Sequence, residues 1–388
     1  MIMDQLRSNI EKHLHNICFY PSRHVGSPGV AAAANYIEAT FRSYGYTDAG
    51  QEKFPTTGWR FGHMIFADLD NGTRPVPGAQ PCFFSQSADV TGVPVWLKAK
   101  DLANLKNIDV KGKLCIVEFF SDAADIRGRN GVAEDLDACG AAGAVFISDA
   151  EYHTCCAPST KLQRSPYLKQ LGTAVVSEEG AYYLANNRHH RFRLIIDAET
   201  FPHQSANVYA IRPGTGSKRV IFGAHHDGAP IGQAAWDNAS GVACLLEMSR
   251  LLKDKMPEIT FEFASFDAEE YCIGPNPVGS DSYVKAHPDR KWEFFMNFDS
   301  IGAYFGEEAL HIGRPELLPE FDCIYPKRPY KNGGDDRSFN CIGVPTLWFN
   351  THCKFLDFHT PLDTIGTLEL DRLPVCIKEA IRILEKIC

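Results

Sequence analysis

The chain reads as an α/β protein: a mostly parallel central sheet flanked by helices and interrupted by an inserted β-rich module. Three observations carry that reading. After Asn207 strand and helix patterns alternate, the rhythm of a parallel sheet covered on both faces. Between about residues 60 and 200 that rhythm gives way to several short strand patterns. At 388 residues the chain has room for a second unit. The expected layout is residues 1–60 with 203–388 as one discontinuous domain and 61–202 as the insert.

In chain order, residues 3–17 form an amphipathic helix with Leu6, Ile10, Leu14 and Ile17 on one face. The turn formers Pro21 to Gly29 make a loop, and a second helix runs from about Val30 to Tyr44, stopping at Gly45. The insert offers strands at 63–69, 114–119, 144–147, 173–176 and 191–196, with one small-residue helix at 135–142. The remainder gives strands at 218–224, 259–266, 293–298 and 345–349, a helix at 239–253 and a closing helix at about 368–387.

Composition narrows the function. The net charge of −9, without a long basic run, argues against a nucleic-acid surface. No run of about 18 apolar residues predicts a membrane span. The N-terminus lacks the apolar core of a signal peptide. Thirteen cysteines without a CxxC pair read as reduced thiols of a cytoplasmic protein.

The chemistry gathers where predicted strands end. The strand Lys218–Ala224 runs into His225-His226-Asp227. Residues two apart share a face of an extended chain, so His225 and Asp227 point together and His226 points away. A carboxylate beside an imidazole fixes the tautomer of a metal-binding histidine. Asp237 lies in a small-residue turn ahead of a helix, and three further clusters bring Glu269-Glu270, Asp299 and His359. Each piece alone is an ordinary turn, cap or charge pair; the set is not. His225, Asp237, Glu270, Asp299 and His359 make a mixed imidazole–carboxylate group suited to Zn²⁺ or a similar first-row ion. Five ligands exceed one open catalytic zinc and suit two ions about 3.5–4 Å apart with one carboxylate between them. Glu269, adjacent to a ligand but not counted among them, is placed to take a proton from water.

The order His-x-Asp, Asp-Asn-Ala-Ser-Gly, Glu-Glu, Asn-Phe-Asp-x-Ile-Gly, His-Thr-Pro-x-Asp-Thr resembles the co-catalytic zinc aminopeptidases of metallopeptidase family 28, whose fold is the zinc-exopeptidase, phosphorylase/hydrolase-like one. Arg23-His24-Val25-Gly26-Ser27-Pro28-Gly29 is similar to the family's N-terminal loop. Val110–Leu114 and Cys139–Ala144 resemble stretches of a protease-associated domain, which the insert would then be. The resemblance implies two Zn²⁺ ions, with Co²⁺ or Mn²⁺ as alternatives. His225 and Asp299 would hold one, Glu270 and His359 the other, and Asp237 would bridge. It implies Glu269 as general base, Asp227 as partner of His225, and a cis peptide at Asp237-Asn238.

The chain departs from the family at Phe358, where a tyrosine is common, in the longer loop after Glu270, and in the loop Gly334–Phe339. The implied activity is aminopeptidase action on peptides. The alternatives are a glutamate-type carboxypeptidase, for which Arg337, Arg212 and Lys354 are the candidate cations, a single-zinc glutaminyl cyclase, and a non-enzymatic receptor-like relative. A soft-metal reading of His153-Thr154-Cys155-Cys156 is weaker than a loop with buried thiols, and the insert is an option for homo-oligomer formation.

Overall fold

The computed structural model describes residues 2–118, 126–147, 168–270, 277–330, 333–353 and 359–388. It divides into two units, Met1–Thr56 with His203–Cys388, and Thr57–Pro202. The chain passes between them along two 21-residue strands, Asp48–Asp68 and Phe192–Arg212. The strands expected at 63–69 and 191–196 are the ends of these two. Alternation shows only where one face is buried, so their half-exposed stretches carried no strand signal.

In the first unit, the strands Thr260–Phe266, Arg219–His225, Phe295–Phe298 and Thr346–Cys353 lie side by side and parallel. Strand 260–266 pairs antiparallel with residues 208–212, and strand 346–353 antiparallel with Gly306–Gly313. The sheet is therefore mixed: a parallel centre with antiparallel pairings outside it corrects the mostly parallel expectation. The parallel strands read as largely apolar runs because both faces are covered, with buried Glu262, Asn297 and Thr351 as interruptions. Strand 306–313 (GEEALHIG) mixes charge with apolar residues and escaped the sequence reading.

Helices Ile2–Ile17, Pro28–Ser43, Ser240–Leu252 and Arg372–Ile387 bury one core with the sheet. Leu6, Ile10, Leu14 and Ile17 are all buried, as the helical spacing requires. The second helix starts at Pro28, and the Ser27 hydroxyl caps it by accepting from the Val30 amide. The helix Ser240–Leu252 packs tightly on the strand end beside it. A Cβ on Gly241 would stand 2.1 Å from the Phe298 carbonyl oxygen, so only glycine fits there. The parallel strands all end on the same side, and the loops that leave them carry the candidate site.

The second unit has its own five-stranded sheet, in the order Ala79–Pro81, Gly172–Val176, Gly143–Ile147, Leu114–Val117, Val95–Leu97. Its core includes Val117, Leu136, Phe146 and Val175. The last four strands are parallel, and helices Ile126–Ala138 and Glu178–Asn186 occur among them. Strands thus dominate this unit among the described residues, with more helix than the single segment expected from the sequence. The helix expected at 135–142 ends at Ala138, because Gly140 takes φ +76° and turns the chain. The described cysteines are free thiols, with Cys18, Cys82, Cys115, Cys244 and Cys376 buried. The cluster at 153–156 lies outside the described residues.

Arg23 ties the N-terminal loop to the loop after strand 219–225. Fully buried, it donates to three carbonyls: His226 O at 2.9 Å, Gln233 O at 2.6 Å and Ala234 O at 2.8 Å. Arg23→Met is expected to lower unfolding free energy by about 3 kcal/mol or more, because it leaves three acceptors, two of them fully buried, without donors. The midpoint of urea denaturation of this unit's signal measures it.

Candidate metal centre

Strand 219–225 ends in His225, whose side chain is 1% exposed. Its Nε2 lies 3.1 Å from Asp237 Oδ1 and 3.4 Å from Asp299 Oδ1. On the other side of Asp237, His359 Nε2 lies 3.2 Å from Asp237 Oδ2 and 2.6 Å from Glu270 Oε1. Two groups of donors result: His225, Asp237 and Asp299, and Asp237, Glu270 and His359. Within each, the ligand atoms fall within 4.8 Å of one another. Asp237 is common to both and offers a different oxygen to each.

The supports are buried too. Asp227 stands 3.5 Å from His225 Nδ1, and its two carboxylate oxygens accept the Glu269 and Glu270 amides at 3.0 and 3.1 Å. One carboxylate thus touches the first imidazole and fixes the backbone of the Glu-Glu pair. Asp363 does the same for Asp237: its oxygens accept the Trp236 amide at 2.7 Å and the Asp237 amide at 3.1 Å. Asn238 accepts from the Gly241 and Ser300 amides and donates to Phe298 O. The Asp237-Asn238 peptide is cis. His226 points away, as alternation requires, and meets Ser265 Oγ at 3.0 Å; burial pushes it down to about 3 and keeps it neutral.

Backbone conformation around the centre is unusual. Ala234, Ala268, Ser300 and His359 all take φ between +48° and +62°. Each non-glycine residue in that region costs on the order of 1 kcal/mol or more, and such residues persist where the surroundings over-determine them. Here they sit at, beside or close to Asp237, Glu269, Asp299 and His359.

Electrostatics follow the crowding. Burial works against charge on Asp237, but the two imidazoles outweigh it and hold its carboxyl far below the usual range. Burial likewise disfavours the charged imidazoles, yet the surrounding carboxylates raise His225 and His359 well above the usual histidine value. Glu269, which keeps some exposure as a residue, is raised well above the carboxylate range. Desolvation comes first; the pull of His225 opposes it, and repulsion from Glu270, Asp335 and Asp299 adds to it. Glu270 is raised for the same first reason. Asp335, fully buried, is pushed up to about 7 by desolvation. Two imidazoles and three carboxylates, desolvated and converging in two overlapping groups, fit a pair of divalent cations in donor chemistry and in the sharing of Asp237.

All seven residues singled out from the sequence come together. Asn238, Asp335 and Asp363 were seen only as letters of motifs. What they do is hydrogen-bond or repel neighbours brought in by other strands, and no periodicity reports that. Phe358 and Lys354 lie outside the described residues.

Residues 207–383 match the family described as Peptidase family M28. Among curated proteins, the chain is 25% identical over 320 residues to the Mycobacterium tuberculosis protein named "Probable lipoprotein aminopeptidase LpqL"; the match covers 77% of this chain and 60% of that protein. It is 26% identical over 194 residues to aminopeptidase YwaD of Bacillus subtilis, covering 44% and 42%. The chain thus spans less than two thirds of the length of these relatives. Among solved structures, the fold is similar to an aminopeptidase from Aneurinibacillus sp. strain AM-1, with TM-score 0.71, 21% identity and coverage of 98% and 93%. It is also similar to a zinc aminopeptidase from Bacillus subtilis, with TM-score 0.75, 18% identity and coverage of 99% and 95%. Residues 207–383, the stretch that is similar to Peptidase family M28, hold every donor of the two groups above.

Proposed function

We propose that this chain is a di-zinc aminopeptidase that removes N-terminal residues from peptides. The observation that carries the proposal is Asp237, whose two oxygens face two different imidazoles in two buried donor groups. His225 and Asp299 would hold one ion, Glu270 and His359 the other, with Asp237 shared. Bound there, the ions would lower the pKa of water towards about 7 and polarise a carbonyl. Glu269 takes the water's proton and passes it to the leaving amine. Burial raises its pKa, the direction that helps it hold the proton between the two transfers. Asp227 keeps Glu269 in place by holding its amide and that of Glu270. The acidic groups clustered at the centre favour a substrate ammonium beside them.

A carboxypeptidase needs cations for the substrate carboxylate; Arg212 is engaged with Met256 O and Ile259 O, before strand 260–266 and so at the opposite end from Glu269, which leaves Arg337 as the described candidate that the peptide panel below tests. Five donors in two groups favour two ions over the single ion of a cyclase. A receptor-like relative has no need to keep all five. The same proposal takes residues 61–202 as a protease-associated-like insert. No helix among the described residues is long and apolar enough to cross a membrane, and a cytoplasmic peptide substrate is part of the reading.

Purified protein reconstituted with zinc should approach two ions per chain by mass-spectrometric metal analysis. It should hydrolyse free-N-terminus dipeptides and their C-terminal amides, but not N-acetylated ones; the converse pattern would select the carboxypeptidase. Glu269→Gln should keep its metal and lose turnover by about 10²–10⁴, mainly in kcat. Glu270→Gln should lose metal, with excess zinc partly restoring activity. Asp227→Asn should cost about 10–100-fold in affinity or activity, since it orients a ligand without binding the ion.

A further inference from the structure

Exposed apolar side chains gather beside the centre. The turn that leaves Asp299 ends in Tyr304 and Phe305, each 57% exposed, their rings edge to face with centroids 5.0 Å apart. The turn that leaves His359 carries Leu362, 46% exposed. The two turns are hydrogen-bonded together. The Tyr304 amide donates to Thr367 O at 3.1 Å, and the Thr367 hydroxyl donates to Leu362 O at 3.2 Å. Ala303 and Leu368 pair as an antiparallel bridge, and the Glu369 amide donates to Gly302 O at 2.8 Å. Both ends of this surface are anchored in the donor groups: Asp299 Oδ1 faces His225, and Asp363, next to Leu362, holds the Trp236 and Asp237 amides.

Reach sets what the surface can touch. Leu362 is three residues from His359 and Tyr304 five from Asp299. At no more than ~3.6 Å per residue, the surface starts within about 11 Å of one ligand and ends within about 18 Å of the other. An extended peptide advances ~3.3 Å per residue. A chain whose first peptide bond lies at the centre is thus long enough for its third to fifth residues to reach Leu362, Tyr304 and Phe305. Exposed apolar groups that cluster beside a site mark binding surfaces, and the exposed Glu307 alongside disfavours acidic residues there.

We propose that Tyr304, Phe305 and Leu362 form an apolar strip that receives apolar side chains at the third to fifth positions of a peptide substrate. The proposal rests on the aminopeptidase reading, and the test separates the two. Zinc-loaded protein is assayed on leucine p-nitroanilide and on two pentapeptides with the same first two residues, Leu-Ala-Phe-Leu-Phe and Leu-Ala-Gly-Ser-Gly. Calorimetry measures binding of the same pentapeptides with an uncleavable reduced first bond. The wild type should favour the apolar pentapeptide about tenfold in kcat/KM and in affinity, the scale of partial burial of an aromatic side chain.

The double variant Tyr304→Ser/Phe305→Ser, on exposed side chains outside the metal centre, should lose most of that preference. Its rate on leucine p-nitroanilide should stay within about twofold of wild type. Leu362→Ser should lose part of the preference. Three results would overturn the proposal: no preference in the wild type, a preference retained by the double variant, or a variant that dissociates a dimer while keeping the preference. The last would make the strip a contact between copies. Absence of hydrolysis of every peptide would reject the aminopeptidase reading, while the binding comparison would still decide the strip.

Discussion

A single buried carboxylate, Asp237, organises the centre. It holds its charge only because an imidazole stands on each side of it, 3.1 and 3.2 Å from its two oxygens. Removing either imidazole would leave an ion in a desolvated place, where its cost is several kcal/mol. The same demand runs outward: Asp363 fixes the amides of Trp236 and Asp237, Asn238 ties the turn to Ser300, and Arg23 fastens the loop from below through three carbonyls. Precision at the donors is therefore borrowed from loops fixed far apart in the chain.

The fold supplies that precision through the parallel strands. Strands 219–225, 260–266, 295–298 and 346–353 run the same way, so the loops after them leave on one side of the sheet. His225 and Asp299 stand at strand ends, Glu269 and Glu270 shortly after one, and Asp237 and His359 in longer loops held by side-chain carboxylates and strained backbone. Antiparallel strands outside the parallel centre widen the sheet and add no donor.

The division of labour within Glu269-Glu270 has a physical origin. Both amides are held by one carboxylate, Asp227, while the side chains diverge: Glu270 meets His359 at 2.6 Å, and Glu269 keeps partial exposure. Neighbouring residues thus carry different environments on a common support. That is how two identical carboxylates acquire the different roles proposed for them.

Much of this was legible in the residue order. Largely apolar runs announced the parallel strands, and period-3.6 spacing announced the helix of Leu6, Ile10, Leu14 and Ile17. The two-residue spacing of His225 and Asp227 put them on one face and His226 on the other. The seven candidate residues were recognisable because metal chemistry demands particular residue types at strand ends. Tertiary structure alone decided the rest. Strand 306–313 lacks a clean alternation and forms because strand 346–353 offers it a partner. The long strands 48–68 and 192–212 are only partly patterned for the same reason. The tasks of Arg23, Asn238 and Asp363, and the meeting of Tyr304 with Leu362 through Thr367, depend on backbone groups that the fold brings from distant parts of the chain. A hydrogen bond to a distant main-chain amide or carbonyl leaves no periodicity in sequence, so only the folded chain could show it.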